Sequence, residues 1–217
     1  MKDFKGIIFD MDGVILDSER ALMEVWIELS LKHNLKNIEE VYLKCTGANV
    51  NKTKEILLDF YGKDFPYDKY AKETSEIYFN KYKDYKLPLK KGVFELLNYL
   101  KENNIKIALA SSTKYDLVIK ELKAHDLLKY FDVIISGDMV NKSKPEPDIY
   151  LKAISEIYIN PNELFAIEDS FNGVISATSA GLKTIMVPDL ILPNDEIKNK
   201  AYVVLNDLLE VINYLND

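Results

Sequence analysis

Gly6-Ile7-Ile8-Phe9-Asp10-Met11-Asp12-Gly13 is the stretch that decides how this chain folds. A short apolar run stops abruptly at an aspartate, the pattern of a buried parallel strand ending at its carboxyl edge. Asp10 and Asp12 form the only Asp-x-Asp in the sequence. Residues two apart can aim both carboxylates into one crevice as the chain leaves a strand. Gly13 then lets the backbone turn where a side chain would obstruct it. Such a pair also fits an ordinary loop, so its weight depends on what else reaches the same edge.

Outward from this strand the texture changes. From about Ser18 to Tyr85 the pattern is helical, with Leu22, Trp26 and Leu29 on one face and Ile56, Leu57 and Phe60 on another. From Leu87 onward, strands and helices alternate. Strands are expected at 105–110, 133–135, 164–167 and 184–187, and helices at 93–100, 115–122, 149–157 and 174–180. That alternation argues for a parallel sheet with helices on both faces. The expected fold class is α/β, with the sheet core interrupted after its first strand by an all-helical insert.

Ligands of open α/β sheets bind at the carboxyl edge of the strands. Four polar segments fall there: Asp10-Met11-Asp12-Gly13, Ser111-Ser112-Thr113, Lys144-Pro145 and Glu168-Asp169-Ser170. In a phosphotransfer reading, Asp10 attacks phosphorus and forms an aspartyl-phosphate. Asp12 protonates the departing ester oxygen and later deprotonates the water. Glu168 and Asp169 bring further carboxylates, which a hard divalent cation such as Mg²⁺ would keep ionised. Both acids could equally cap the helix that follows. The hydroxyls of Ser111, Ser112 and Thr113 could cap a helix or meet a phosphate at its amino end. Lys144 could supply a fixed cation or be a solvated loop lysine, with Lys142 competing for the role and Pro145 and Pro147 stiffening the segment.

Composition bounds the alternatives. The net charge of −7 sets the surface against nucleic-acid backbones. The amino terminus has no apolar run behind a basic stretch, and nothing approaches a membrane span. Cys45 is the single cysteine, and with two histidines a Cys/His zinc site lacks ligands. A reducing cytoplasm and oxygen-ligand metal chemistry are the expectation.

Taken together, Asp10-Met11-Asp12-Gly13-Val14-Ile15-Leu16-Asp17-Ser18, Ser111-Ser112-Thr113-Lys114, Lys144-Pro145-Glu146-Pro147-Asp148-Ile149-Tyr150 and Glu168-Asp169-Ser170-Phe171-Asn172-Gly173 resemble the four motifs of the haloacid dehalogenase superfamily, in the family's order. The likeness is to its phosphatase and phosphoglucomutase-like branch with a helical cap, and it covers essentially the whole chain. It implies a Rossmann-like core from residues 1–16 and 87–217, and a mobile cap from 17–86. Asp10 would be the nucleophile and Asp12 the acid/base, with Ser111, Ser112 and Lys144 binding phosphate. Mg²⁺ would be held by Asp10, the Asp12 backbone carbonyl, Asp169 and Glu168, the last directly or through water. The substrate would be a small phosphorylated metabolite such as a sugar phosphate, and the protein a monomer.

Details within the resemblance narrow the choice. The dehalogenases lack the second aspartate, so Asp12 argues for phosphoryl transfer. The β-phosphoglucomutase-like members carry a cap histidine where Leu22 falls, and an arginine after the glycine matching Gly47. Both are missing here, which favours a phosphatase over a phosphohexomutase. A phosphonatase would need a cap lysine, for which Lys52 and Lys54 are candidates. Intact Asp10 and Asp12 oppose a non-catalytic binding protein. Asn49, Asn51 and Lys52 fall in a polar cap loop that could reach a sugar hydroxyl or simply be an exposed turn. Trp26 and the tyrosines Tyr78, Tyr82 and Tyr85 are expected to pack helices, and Cys45 to be inert.

Overall fold

A computed structural model of the chain describes residues 4–46 and 50–217. After β1 (Gly6–Phe9) come four helices, α1 (Ser18–His33), α2 (Ile38–Cys45), α3 (Val50–Tyr61) and α4 (Tyr67–Lys81), with no strand among the described residues between them. Alternation then sets in with α5 (Val93–Glu102), β2 (Lys106–Ser111), α6 (Tyr115–Ala124), β3 (Val133–Ser136), α7 (Asp148–Ile157), β4 (Leu164–Glu168), α8 (Phe171–Ser179) and β5 (Lys183–Met186). The chain closes with α9 (Asp195–Lys200), β6 (Val203–Val204) and α10 (Leu208–Asn216).

The six strands are parallel and ordered β3-β2-β1-β4-β5-β6. The sheet is an α/β, Rossmann-like one, as expected. β1 lies between β2 and β4, with Phe9 opposite both Leu109 and Ile167. Strand order reverses there, which opens a crevice beyond the strand ends. The registers carry Asp10, Ser111 and Glu168 to that crevice together.

Alternation along the strands builds two apolar layers. Ile7, Phe9, Ile107, Leu109 and Ile167 pack with Leu96, Leu100, Val118 and Val211. Ile8, Ala108, Ala110 and Ala166 face Tyr150, Ala153 and Ala177 on the other side. The three strand alanines let α7 come close, and that closeness brings Tyr150 under the strand ends. The four inserted helices enclose a third cluster around Met23, Trp26, Leu29, Val41, Leu57 and Tyr67. Trp26 packs there as expected, and Leu22 lies against the same cluster. Tyr78 and Tyr82 lean instead on the sheet-side core, with ring centroids 5.1 Å apart.

The two passages between these helices and the sheet run side by side. Leu16 pairs antiparallel with Leu89. The Asp17 N–H donates to Pro88 O at 2.8 Å, and the Lys90 N–H to Ile15 O at 2.9 Å. Lys90 also bridges Asp17 at 3.4 Å and the buried Asp189 at 2.6 Å.

Two expectations need correcting. Strand β2 runs one residue further than its apolar run, so Ser111 is a strand residue and fully buried. Asn51 and Lys52 lie in the first turn of α3, not in a loop.

Candidate active site

Lys144 organises the site. It precedes a cis bond to Pro145 in the loop before α7, and its side chain is 9% exposed. Its ammonium donates to Asp10 Oδ1 at 2.6 Å, Glu168 Oε1 at 2.7 Å and Ala110 O at 3.2 Å. Lys142, the competing lysine, is exposed and 3.8 Å from Glu146. Glu168 is fully buried, and its carboxylate is held on both oxygens. Tyr150 donates to Oε1 at 2.5 Å, while the Asp169 N–H and Ser170 Oγ donate to Oε2 at 3.3 and 3.4 Å.

Glu168 and Asp169 do not cap α8. Ser170 does, its Oγ accepting from the Gly173 N–H at 3.1 Å. Nor do the hydroxyls of residues 111–113 cap α6, whose N-cap is Lys114 without a side-chain bond. The bland readings of both segments fail on these contacts.

Two glycines make the room. Gly13 has φ +80°, and a Cβ there would sit 2.1 Å from Asp169 Oδ2. A Cβ at Gly173 would sit 1.9 Å from Glu168 Oε2. Each carboxylate is thus cradled against a backbone that tolerates no side chain.

Asp10, Glu168 and Asp169 each present one oxygen, and these atoms lie within 4.8 Å of one another. Burial pushes the Asp10 carboxyl up to about 7, against the pull of Lys144 and with Glu168 and Asp12 adding to the rise. Burial, then Glu168 and Asp10, hold Asp169 well above the ordinary carboxylate range. Burial opposes the charge on Lys144, but Asp10 and Glu168 outweigh it and raise its pKa. A hard-oxygen donor set this crowded and this short of positive charge fits a small divalent cation.

On the other side of the nucleophile, Asp12 Oδ2 accepts from Thr113 Oγ1 at 2.9 Å. That leaves Oδ1 to carry a proton. Ser111 Oγ accepts from the Thr113 N–H at 3.1 Å, tying the turn after β2. Ser112, the third residue expected to bind phosphate, is exposed. Its carbonyl lies 2.2 Å from where a Gly137 Cβ would be, so the chain leaving β3 can pass there only as a glycine.

The crevice gathers Asp10, Asp12, Ser111, Lys144, Glu168 and Asp169. It does not gather all the specificity candidates. Asn49 lies outside the described residues, Asn51 is exposed, and Lys52 pairs with Glu55 at 2.9 Å. Lys54 is bound to Asp68 at 2.8 Å, so both cap lysines weighed for a Schiff base are engaged on the helix surface. Cys45 is buried, its thiol raised by burial and 3.3 Å from Val41 O. Sequence reasoning missed Tyr150 as a ligand of Glu168 and Thr113 as the partner of Asp12. Tyr150 follows Lys144 by six residues, a spacing that carries meaning only once α7 folds back under the sheet.

Residues 7–187 match the sequence profile of the haloacid dehalogenase-like hydrolases. A phosphorylated carbohydrates phosphatase of Thermotoga maritima is 32% identical over 183 residues, 83% of either chain. The β-phosphoglucomutase of Bacillus subtilis is 30% identical over 191 residues, covering 84% of this chain and 83% of its own. In fold, the crystal structure of a family hydrolase from Deinococcus radiodurans superposes with a TM-score of 0.82 at 22% identity, over 98% of this chain and 95% of that one.

Proposed function

The chain belongs to the haloacid dehalogenase-like hydrolase family, and from that premise we propose a Mg²⁺-dependent phosphomonoesterase that passes the phosphoryl group of a small phosphorylated metabolite through Asp10 to water. The observation that carries the reading is one buried ammonium bound to Asp10 and Glu168 at once, with Asp169 beside them. The relatives named for phosphorylated carbohydrates and for β-phosphoglucose support a sugar phosphate as the substrate class.

Asp10, the Asp12 backbone carbonyl, Asp169 and Glu168 would hold Mg²⁺, which when bound offsets charge on the phosphoryl oxygens and keeps the carboxylates ionised. A carboxylate oxygen of Asp10 forms a bond to phosphorus as the ester P–O bond breaks. Asp12, oriented by Thr113, gives its proton to the leaving oxygen and then takes one from the attacking water. The Asp10–phosphorus bond breaks, releasing phosphate and restoring the carboxylate. Lys144 neutralises the transferring group, with Ser111 and Ser112 at its far side. Residues 17–86 act as a cap that excludes water during the first step.

We place the enzyme in the cytoplasm as a monomer, in keeping with its single, buried cysteine. Among the described residues no helix is long and apolar enough to cross a membrane.

The direct test is phosphate release from a panel of sugar phosphates with and without Mg²⁺. Release that needs the ion supports the reading. Isomerised product with little free phosphate, dependent on a bisphosphate, would replace it with the mutase that the Bacillus relative represents.

A second expectation concerns protons. The folded, ion-free protein keeps a proton on Asp10 up to about 7, and Asp169 is shifted the same way. Unfolding returns both to about 4, so the ion-free protein loses stability as pH rises between those values. Mg²⁺ must displace these protons to bind. Calorimetry of Mg²⁺ binding at pH 6 in buffers of different ionisation enthalpy should show net proton release, shrinking by pH 8. Buffer-independent heats at pH 6 would remove Asp10 and Asp169 from the ligand set.

A further inference from the structure

Tyr150 is fully buried in the apolar layer between α7 and the sheet, among Ile8, Ala108 and Ala166. A phenyl ring would fill that place equally well. The tyrosine brings a hydroxyl besides, and a buried hydroxyl needs a partner. Here it donates to Glu168 Oε1 at 2.5 Å and stands 3.5 Å from the Lys144 ammonium. The phosphatase mechanism above gives this hydroxyl no task.

The task follows from the hydrogens on Lys144. An ammonium has three, and three oxygens already take them: Asp10 Oδ1 at 2.6 Å, Glu168 Oε1 at 2.7 Å and Ala110 O at 3.2 Å. Neutralising a phosphoryl group therefore means giving up contacts already made. Asp10 can spare its share, because its carboxylate loses its charge as the bond to phosphorus forms. Glu168 cannot. It is fully buried, and breaking a buried ion pair from one side strands the charge that remains. Its Oε2 has only the longer bonds from the Asp169 N–H and Ser170 Oγ, at 3.3 and 3.4 Å. Among the described residues, Tyr150 is the one donor besides Lys144 to Oε1.

We propose that Tyr150 is a positioning residue whose hydroxyl holds Glu168 while Lys144 turns to the phosphoryl group, so that the ammonium is free to serve the reaction instead of staying locked to Glu168. This rests on the phosphatase reading above and deepens it. No covalent bond to Tyr150 forms or breaks, and no proton leaves it; the hydroxyl donates to Oε1 throughout. The ring has a separate contact, its centroid 5.1 Å from the Lys144 ammonium, which does not depend on the hydroxyl.

Tyr150→Phe separates the hydroxyl from the ring. Orthovanadate, which stands in for the transferring phosphoryl group, is titrated by calorimetry at saturating Mg²⁺, and Mg²⁺ is titrated alone. Without the hydroxyl, Lys144 is held to Glu168. Orthovanadate affinity and kcat/KM for a sugar phosphate should then each fall by about tenfold or more, the worth of one hydrogen bond to a charged group. Mg²⁺ affinity should stay near that of wild type, because Lys144 still holds Glu168 in place. Unchanged orthovanadate affinity overturns the role. So does an equal fall in Mg²⁺ affinity, which is what a merely structural hydroxyl would give. A Glu168→Gln background gives a second reading, and serves if Tyr150→Phe alone fails to fold. An amide there strands no charge, so adding Tyr150→Phe should leave orthovanadate affinity where Glu168→Gln puts it, and a further loss would overturn the proposal. Wild type that neither releases phosphate nor binds orthovanadate overturns the phosphatase reading and this role together. Release by wild type with an unaffected variant overturns the role alone.

Discussion

Asp10→Asn should abolish phosphate release while leaving the protein folded. The amide matches the carboxylate in shape but cannot form the acyl-phosphate bond, and no neighbouring carboxylate can take its place. Glu168 is turned toward Lys144 and Tyr150, and Asp12 is tied to Thr113. Removal of a nucleophile from a site that acts as a unit costs on the order of 10⁴-fold or more. The fold should survive because Lys144 keeps Glu168 at 2.7 Å and the Ala110 carbonyl at 3.2 Å. The check is phosphate release alongside thermal unfolding. A folded variant retaining activity within tenfold of wild type would mean another nucleophile.

Lys144→Met should damage both catalysis and stability, and the second effect depends on pH. Methionine has nearly the length of lysine without its charge, so packing changes little. What changes is that Asp10 and Glu168, with side chains 10% and 0% exposed, lose their counter-ion. Breaking a buried pair from one side costs about 3 kcal/mol when the stranded charges stay ionised. They need not stay so. Without the lysine, the pull that lowers the Asp10 pKa is gone, so its folded value rises further above the unfolded one and the folded state binds more protons than the unfolded. Stability is then retained below the unfolded values and lost as pH rises through the folded ones. Ion-free Lys144→Met should therefore unfold close to wild type at pH 5 and well below it at pH 8. Its kcat/KM should fall by about 10³-fold with the loss of the fixed cation. Equal destabilisation at both pH values would mean that Lys144 matters to packing and not to charge.

Much of this site was legible before any coordinate. Apolar runs that end in Asp10 and Glu168 announce buried parallel strands, because only a strand buried on both faces lacks alternation. The insert was legible because an unbroken apolar run gives way to a 3.6-residue period from about Ser18. The tail after Val187 was not: Val203–Val204 is too short to carry a period, and its strand exists only because β5 offers an edge. The position of Ser111 was missed by one residue because a serine ends an apolar run whether or not the backbone ladder continues. Tyr150 and Thr113 were illegible for a shared reason. Each acts on a partner far away in sequence, and only the closeness of helix to sheet brings them together. Asn51 and Lys52 misled because polar residues beside a glycine read as a turn, whereas α3 begins at Val50.

The pairing of Leu16 with Leu89 has an engineering consequence. The chain leaves the sheet core and returns to it through two segments joined by backbone hydrogen bonds of 2.8 and 2.9 Å, so the helices between them hang from a closed neck. A tight turn could bridge the same neck, and closing so short a loop costs little chain entropy. The helical unit is in that sense a replaceable part. Helices from a relative with another substrate could be grafted at residues 17 and 88 while the sheet and its carboxylates stay as they are.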